Sequence, residues 1–75
     1  MKRTAIQVAD EILKFLKIDG KPHSIREVVN HLSIPVESTP VVDAIIQFLA
    51  KYQFIHYDES RMEITIKPDI MEIIN

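Results

Sequence analysis

Over residues 4–18, the polar side chains Gln7, Asp10, Glu11, Lys14 and Lys17 recur at i, i+3, i+4, i+7 and i+10, one solvated face of an α-helix. Ala5, Ile6, Val8, Ala9, Ile12, Leu13, Phe15, Leu16 and Ile18 fill the rest. That apolar face is wider than contact with one neighbouring helix needs. The pattern predicts a first helix over 4–18 on which several elements pack, or part of which meets another chain. Asp19-Gly20, with the only glycine of the chain, stops it. Lys21-Pro22-His23 reads as a short connector. Ser24-Ile25-Arg26-Glu27 then has the form of a capping box, in which the Ser hydroxyl accepts from the Glu27 amide and the Glu27 carboxylate reaches back to the Ser24 amide. It predicts a second helix over 24–32 with Ile25, Val28, Val29 and Leu32 as its buried stripe. Residues 33–39 form a turn containing Pro35. Thr39-Pro40 reads as N-cap and first helical residue, because Pro costs nothing where the amide is unpaired anyway. The third helix is expected over 40–52, with Val42, Ile45, Ile46 and Leu49 inside and Gln47 and Lys51 on the opposite face.

The period then changes from helical to alternating. Phe54-Ile55-His56-Tyr57 reads as a strand and Asp58-Glu59-Ser60-Arg61 as a tight connection. Met62, Ile64 and Ile66 alternate with Glu63, Thr65 and Lys67 as a second strand. This predicts a β-hairpin over 53–67, ended by Pro68. Asp69-Ile70-Met71-Glu72 resembles a weaker capping box, so a single C-terminal helical turn is expected over 69–74.

Seventy-five residues make one domain, 1–75, mainly α with a small β-hairpin. A chain this short buries only about 60% of the surface its unfolded form exposes, so marginal stability, or help from a partner subunit, is expected. With no Cys, neither disulfides nor thiolate metal sites can staple it. The basic start, Met1-Lys2-Arg3-Thr4, is not followed by a continuous apolar stretch, since Asp10, Glu11 and Lys14 intervene. That argues against a signal peptide or membrane span and for a cytoplasmic protein. Nine Lys and Arg against eleven Asp and Glu leave a formal charge of −2, so binding to nucleic acid would have to rest on a local patch.

Three helices followed by a hairpin, and above all Val-Asp-Ala-Ile-Ile-Gln-Phe-Leu-Ala-Lys-Tyr-Gln-Phe-Ile from Val42 to Ile55, resemble the winged helix-turn-helix superfamily over residues 4–67. The stretch looks like the family's recognition helix and its exit into the wing. The resemblance implies a three-helix fold with a short wing. For DNA-binding members it implies that the third helix enters the major groove while the wing touches phosphate or the minor groove. Carried onto this chain, DNA contact falls to Thr39, Gln47 and Lys51, and phosphate contact to Ser24 and Arg61. Lys51 and Arg61 can neutralise phosphate, and Gln47 can bond an adenine edge in two places. Lys14, Lys17, Lys21 and Arg26, with Lys51, form a candidate basic patch, of which Lys21 is taken as a DNA contact. The alternative for these lysines is a solvated face with Asp10–Lys14 support at i, i+4.

The chain departs from the DNA-reading pattern at Val41, Asp43 and Ala44, where those members carry Ser or Thr and then Arg. The wing tip holds Asp58 and Glu59, and Gln53 replaces the glycine often found before the wing strand. A second apolar stripe, Val41, Phe48 and Tyr52 with Ala44 beside them, marks one flank of the third helix. Either the first helix or the tail covers it as core, or it is an exposed patch for a partner protein or second copy. The tail residues Ile70 and Ile73 join it as a candidate dimer surface. The three histidines, His23, His31 and His56, show no metal-ligand spacing. One glycine makes no phosphate loop, and Ser24 is already occupied by capping, so no catalytic site, cofactor or metal is expected. Two functions follow. One is a dimeric winged-helix transcription regulator binding duplex DNA through the third helix and wing. The other is a winged-helix protein-interaction module without DNA binding.

Overall fold

The computed structural model describes residues 4–73, with side chains described for residues 4–70. Helix α1 (Ala5–Lys17) starts at Thr4, which makes a capping box. Its hydroxyl accepts from the Gln7 amide at 3.1 Å, and Gln7 Oε1 accepts from the Thr4 amide at 2.9 Å. The helix ends where Gly20, at φ 67°, donates its amide to the Leu16 carbonyl at 3.1 Å. Helix α2 (Ile25–His31) carries the expected capping box. Ser24 Oγ accepts from the Glu27 amide at 3.0 Å, and Glu27 Oε1 accepts from the Ser24 amide at 3.2 Å.

The connector before α2 is more than a connector. His23–Ser24 is a two-residue strand, β1, paired antiparallel with the last strand, His23 opposite Ile64 and Ser24 opposite Glu63. Two residues are too few to show an alternation, so the sequence pattern could not reveal it. With β2 (Ile55–Asp58) and β3 (Glu63–Ile66) it makes a three-stranded antiparallel sheet in the order β1-β3-β2, where a two-stranded hairpin was expected. Met62 was expected to begin the inward set of β3. It instead belongs to the loop, at φ 55° and half exposed, and its carbonyl accepts the Ile25 amide at 3.0 Å.

Helix α3 (Thr39–Lys51) also differs at its start. A 3₁₀ turn, Val36–Ser38, runs directly into it, so Thr39 is already helical at φ −55°, ψ −41° and is not the N-cap. Ser38 holds that position without a side-chain capping bond, and Pro40 stays in the first turn, where its missing amide does no harm. A last helix, α4 (Pro68–Ile73), starts one residue earlier than expected. The Glu72 side chain of its expected capping box and the Ile73 side chain lie outside the described residues.

Among the described residues thirteen aliphatic side chains close the core, drawn from α1 (Val8, Ile12, Leu16), α2 (Ile25, Val28), its cap Leu32, α3 (Val42, Ile45, Ile46, Leu49), β2 (Ile55) and β3 (Ile64, Ile66). No described polar side chain is buried with them. Phe15, Phe54 and Tyr57 pack half-buried around this centre, as do Leu13 and Ile70. The Cα radius of gyration, 11.3 Å, matches the roughly 11 Å of a compact chain of this length.

Helices α2 and α3 end alike. Ser33 and Gln53 sit at φ 55° and 66°, and the next amides, of Ile34 and Phe54, reach back to the Val29 and Leu49 carbonyls at 3.1 and 2.9 Å. This is the Schellman arrangement, including its apolar pair across the end. A Cβ in the left-handed region is unfavourable, and glycine carries none. Gln53→Gly is therefore expected to raise unfolding free energy by about 0.5–1 kcal/mol in urea titration; a decrease would contradict the left-handed assignment.

Ile46 is fully enclosed, whereas Phe48, two residues on, is 54% exposed. Ile46→Ala is expected to cost about 2–5 kcal/mol, a large share of the roughly 4–11 kcal/mol available to a domain of this size. Phe48→Ala, measured at low micromolar concentration, should cost less than about 1 kcal/mol. Comparable losses for the two would place Phe48 in the core.

Candidate functional site

Among the described residues nothing covers the flank of α3 that the sequence leaves open. Val41, Phe48 and Tyr52 are each more than half exposed, and Ala44 is exposed between them. The buried line of α1 is Val8, Ile12 and Leu16, four residues apart, and on α3 Ile45 is buried where Phe48 is not. The start of α1 then runs beside the flank as a second wall. Ala5, Ile6 and Ala9 of α1 and Val41, Ala44, Ile45 and Phe48 of α3 line an open groove of about 410 Å³, almost wholly apolar. Ile6 is 82% exposed on its edge. The Phe48 and Tyr52 rings tilt against each other at 4.8 Å, and Lys51 Nζ stands 5.6 Å from the Tyr52 ring centroid, within cation–π reach. The groove end nearest Tyr52 thus has a positive edge.

The polar candidates are spread more widely. Ser24 and Thr39, both half-buried, meet in a second open cleft of about 590 Å³ with Ile25, Arg26, Val29 and Met62. Arg26 is its charged residue. Gln47 and Lys51 are exposed further along α3; at 1.5 Å per residue Lys51 lies about 18 Å from Thr39 along the axis. Asp43 is exposed between Thr39 and Gln47 on that same polar stripe. Arg61 is exposed in the hairpin loop, and its amide donates to Asp58 Oδ1 at 3.4 Å. Asp58 also accepts from the Ser60 amide and hydroxyl at 3.1 and 2.7 Å, and the hydroxyl bond leads in holding its carboxyl below the usual value. Asp58 therefore shapes the loop from within. Lys21 is exposed after α1, outside both clefts, and Lys14 is paired with Asp10 at 3.0 Å.

One polar cluster was not foreseen. His23, whose side chain is only 15% exposed, lies between two carboxylates. In its protonated form Nε2 donates to Asp19 Oδ1 at 2.9 Å and Nδ1 to Glu27 Oε2 at 3.1 Å. Phe15 stands beside it at 4.9 Å and stacks on His31 at 4.2 Å. The sequence does carry the signal, since His23 is four residues from each acid. It was masked by reading residues 21–23 as a connector. The cluster ties the end of α1 to the start of α2. Among the described residues no group of three or more His, Cys, Asp or Glu is arranged to hold a metal ion, and no helix is long and apolar enough to cross a membrane.

The chain matches no protein-family profile, no curated protein and no solved structure. The second apolar stripe read from the sequence supplies Val41, Ala44 and Phe48 to the groove, and the wide apolar face of the first helix supplies Ala5, Ile6 and Ala9. Arg26, read from the sequence as part of a basic patch, lines the polar cleft together with Met62, which the sequence pattern placed in a strand. Ile70 packs half-buried on the core, which leaves only part of it for a partner.

The His23 cluster makes stability depend on pH. Only the imidazolium can donate to both acids, so the Asp19 bond first, and the Glu27 bond second, raise its pKa above the ordinary 6.5. The stabilisation is complete below pH 6.5 while the carboxylates stay ionised, and is lost as pH rises through the raised folded value. Glu27, held low chiefly by the His23 bond, and Asp19, held low chiefly by the Lys21 amide, set the acid limit below the ordinary carboxylate range. Melting temperature should accordingly fall from pH 6 to pH 8, and His23→Gln should flatten that slope. A His23 titration midpoint at or below 6.5 by NMR would contradict the cluster.

Proposed function

We propose that this chain is a non-catalytic module of the winged helix-turn-helix type that docks a protein partner through the apolar groove between α1 and α3. The fold reading rests on the order of elements, three helices followed by a hairpin, and on the α3-to-β2 segment that resembles the family's recognition helix and wing. The functional reading rests on one observation. Val41, Ala44 and Phe48 stand open beside Ala5 and Ile6 in a groove with almost no polar lining. Scattered exposed apolar residues are ordinary, but a contiguous apolar groove marks an interaction surface. The partner's complementary face would carry apolar side chains, with an acidic or carbonyl group opposite Lys51.

Duplex DNA is the second reading, favoured by the cleft that gathers Ser24, Arg26 and Thr39 at the start of α3. Against it stand Asp43 on the polar stripe and the net charge of −2. Phosphate contacts release counterions, so real DNA binding is steeply salt-dependent. Fluorescence anisotropy with a random duplex is expected to show no saturable binding at physiological salt up to about 100 μM chain, the upper end of ordinary non-specific affinity. A photoreactive phenylalanine analogue at position 48 is expected to give discrete protein adducts in cells. Salt-sensitive binding weakened by Lys51→Glu, with adducts from position 26 to nucleic acid and none from position 48, would overturn the docking reading in favour of DNA.

A further inference from the structure

An isologous interface places one patch against itself, so large and small apolar side chains lying side by side on one surface can meet their opposites in the other copy. Phe48, with Tyr52 tilted on it, supplies a large, half-exposed aromatic protrusion. The alanines at 5, 9 and 44 keep the adjoining groove shallow-walled and open. A two-fold axis through this face would seat each Phe48 against the other copy's alanines.

The area fits as well. Aromatic side chains present about 150–250 Å² each, so Phe48 and Tyr52 at a little over half exposure offer on the order of 200 Å² together. With Ile6, Val41, Ala5 and Ala44, the exposed patch reaches on the order of 500 Å² per copy, so two copies bury at most about 1,000 Å². That is the threshold of a specific interface, at the weak end of the range. A −2 charge on each copy is too small to oppose it strongly.

We propose that the occupant of the α1–α3 groove is a second copy of this chain, forming a two-fold dimer through Phe48. The inference rests on the docking reading above and names its partner. The dimer leaves the Ser24–Arg26–Thr39 cleft outside its centre.

Sedimentation velocity of the full chain from about 5 μM to about 1 mM tests it, a range that covers the weak association expected at the small end of specific interfaces. The expected result is a concentration-dependent shift from monomer to dimer. Ala44→Glu, at an exposed position, should weaken dimerisation about tenfold or more with an unchanged circular dichroism spectrum, and Phe48→Glu should do the same. A monomer throughout the range, or a dimer that survives both substitutions, would overturn the proposal. The position-48 crosslink separates the two levels. An adduct of two copies of the chain supports the dimer. A chain that stays monomeric but crosslinks to a different protein overturns the dimer and leaves the docking function standing. A monomer with no adduct at all overturns both.

Discussion

Helices α1, α2 and α3 and both strands of the hairpin are held by one small aliphatic centre. Ile12, Leu16, Val28, Ile46, Ile55 and Ile64 are shut off from solvent almost completely, and they come from α1, α2, α3 and both strands of the hairpin. Side chains this short and branched pack closely only when their backbones approach closely. The consequence is a core too narrow for rings. Each aromatic residue sits on its margin or outside it, Phe15, Phe54 and Tyr57 half-covered and Phe48 and Tyr52 open. The exposed flank of α3 is thus a product of the same constraint that closes the core. A chain of 75 residues encloses one layer of side chains, and α3 carries apolar residues for more than one.

Around that centre, local devices set where each element starts and stops. Capping boxes at Thr4 and Ser24 open α1 and α2, and left-handed residues close α2 and α3. The His23 bridge to Asp19 and Glu27 fixes the approach of α1 to α2 at the point where β1 pairs with β3. Strand pairing, helix cap and ion bridge therefore meet within residues 19–27. This segment positions the start of α2 beside the start of α3, and so shapes the cleft of Ser24, Arg26 and Thr39.

Much of this was legible in the sequence because it depends on period and on caps. The stripe of α3, the stripe of α2 except for Val29, which is only partly buried and lines the open cleft, and the Ser24 capping box follow from spacing alone. What stayed hidden depends on pairing between distant residues. Strand β1 has two residues and no pattern of its own. Met62 has the apolar character of a strand residue, but the loop geometry places it at φ 55°. Whether Phe48 was core or surface could not be read from α3, since its stripe is equally apolar either way; the answer lies in which line of α1 faces it. The departures from a DNA-reading helix, Val41, Asp43 and Ala44, gain a physical sense here, as two of the three help build the apolar groove.

The central claim is that the α1–α3 groove, rather than the polar stripe of α3, is the surface through which this protein binds. The most direct measurement is a series of amide and methyl NMR spectra of the full chain across a wide concentration range. A groove filled by a second copy requires concentration-dependent shifts confined to Ala5, Ile6, Ala9, Val41, Ala44, Phe48 and their neighbours. Shifts centred on Ser24, Arg26 and Thr39 would contradict the groove as the binding surface, and spectra that do not change with concentration would contradict its filling by a second copy.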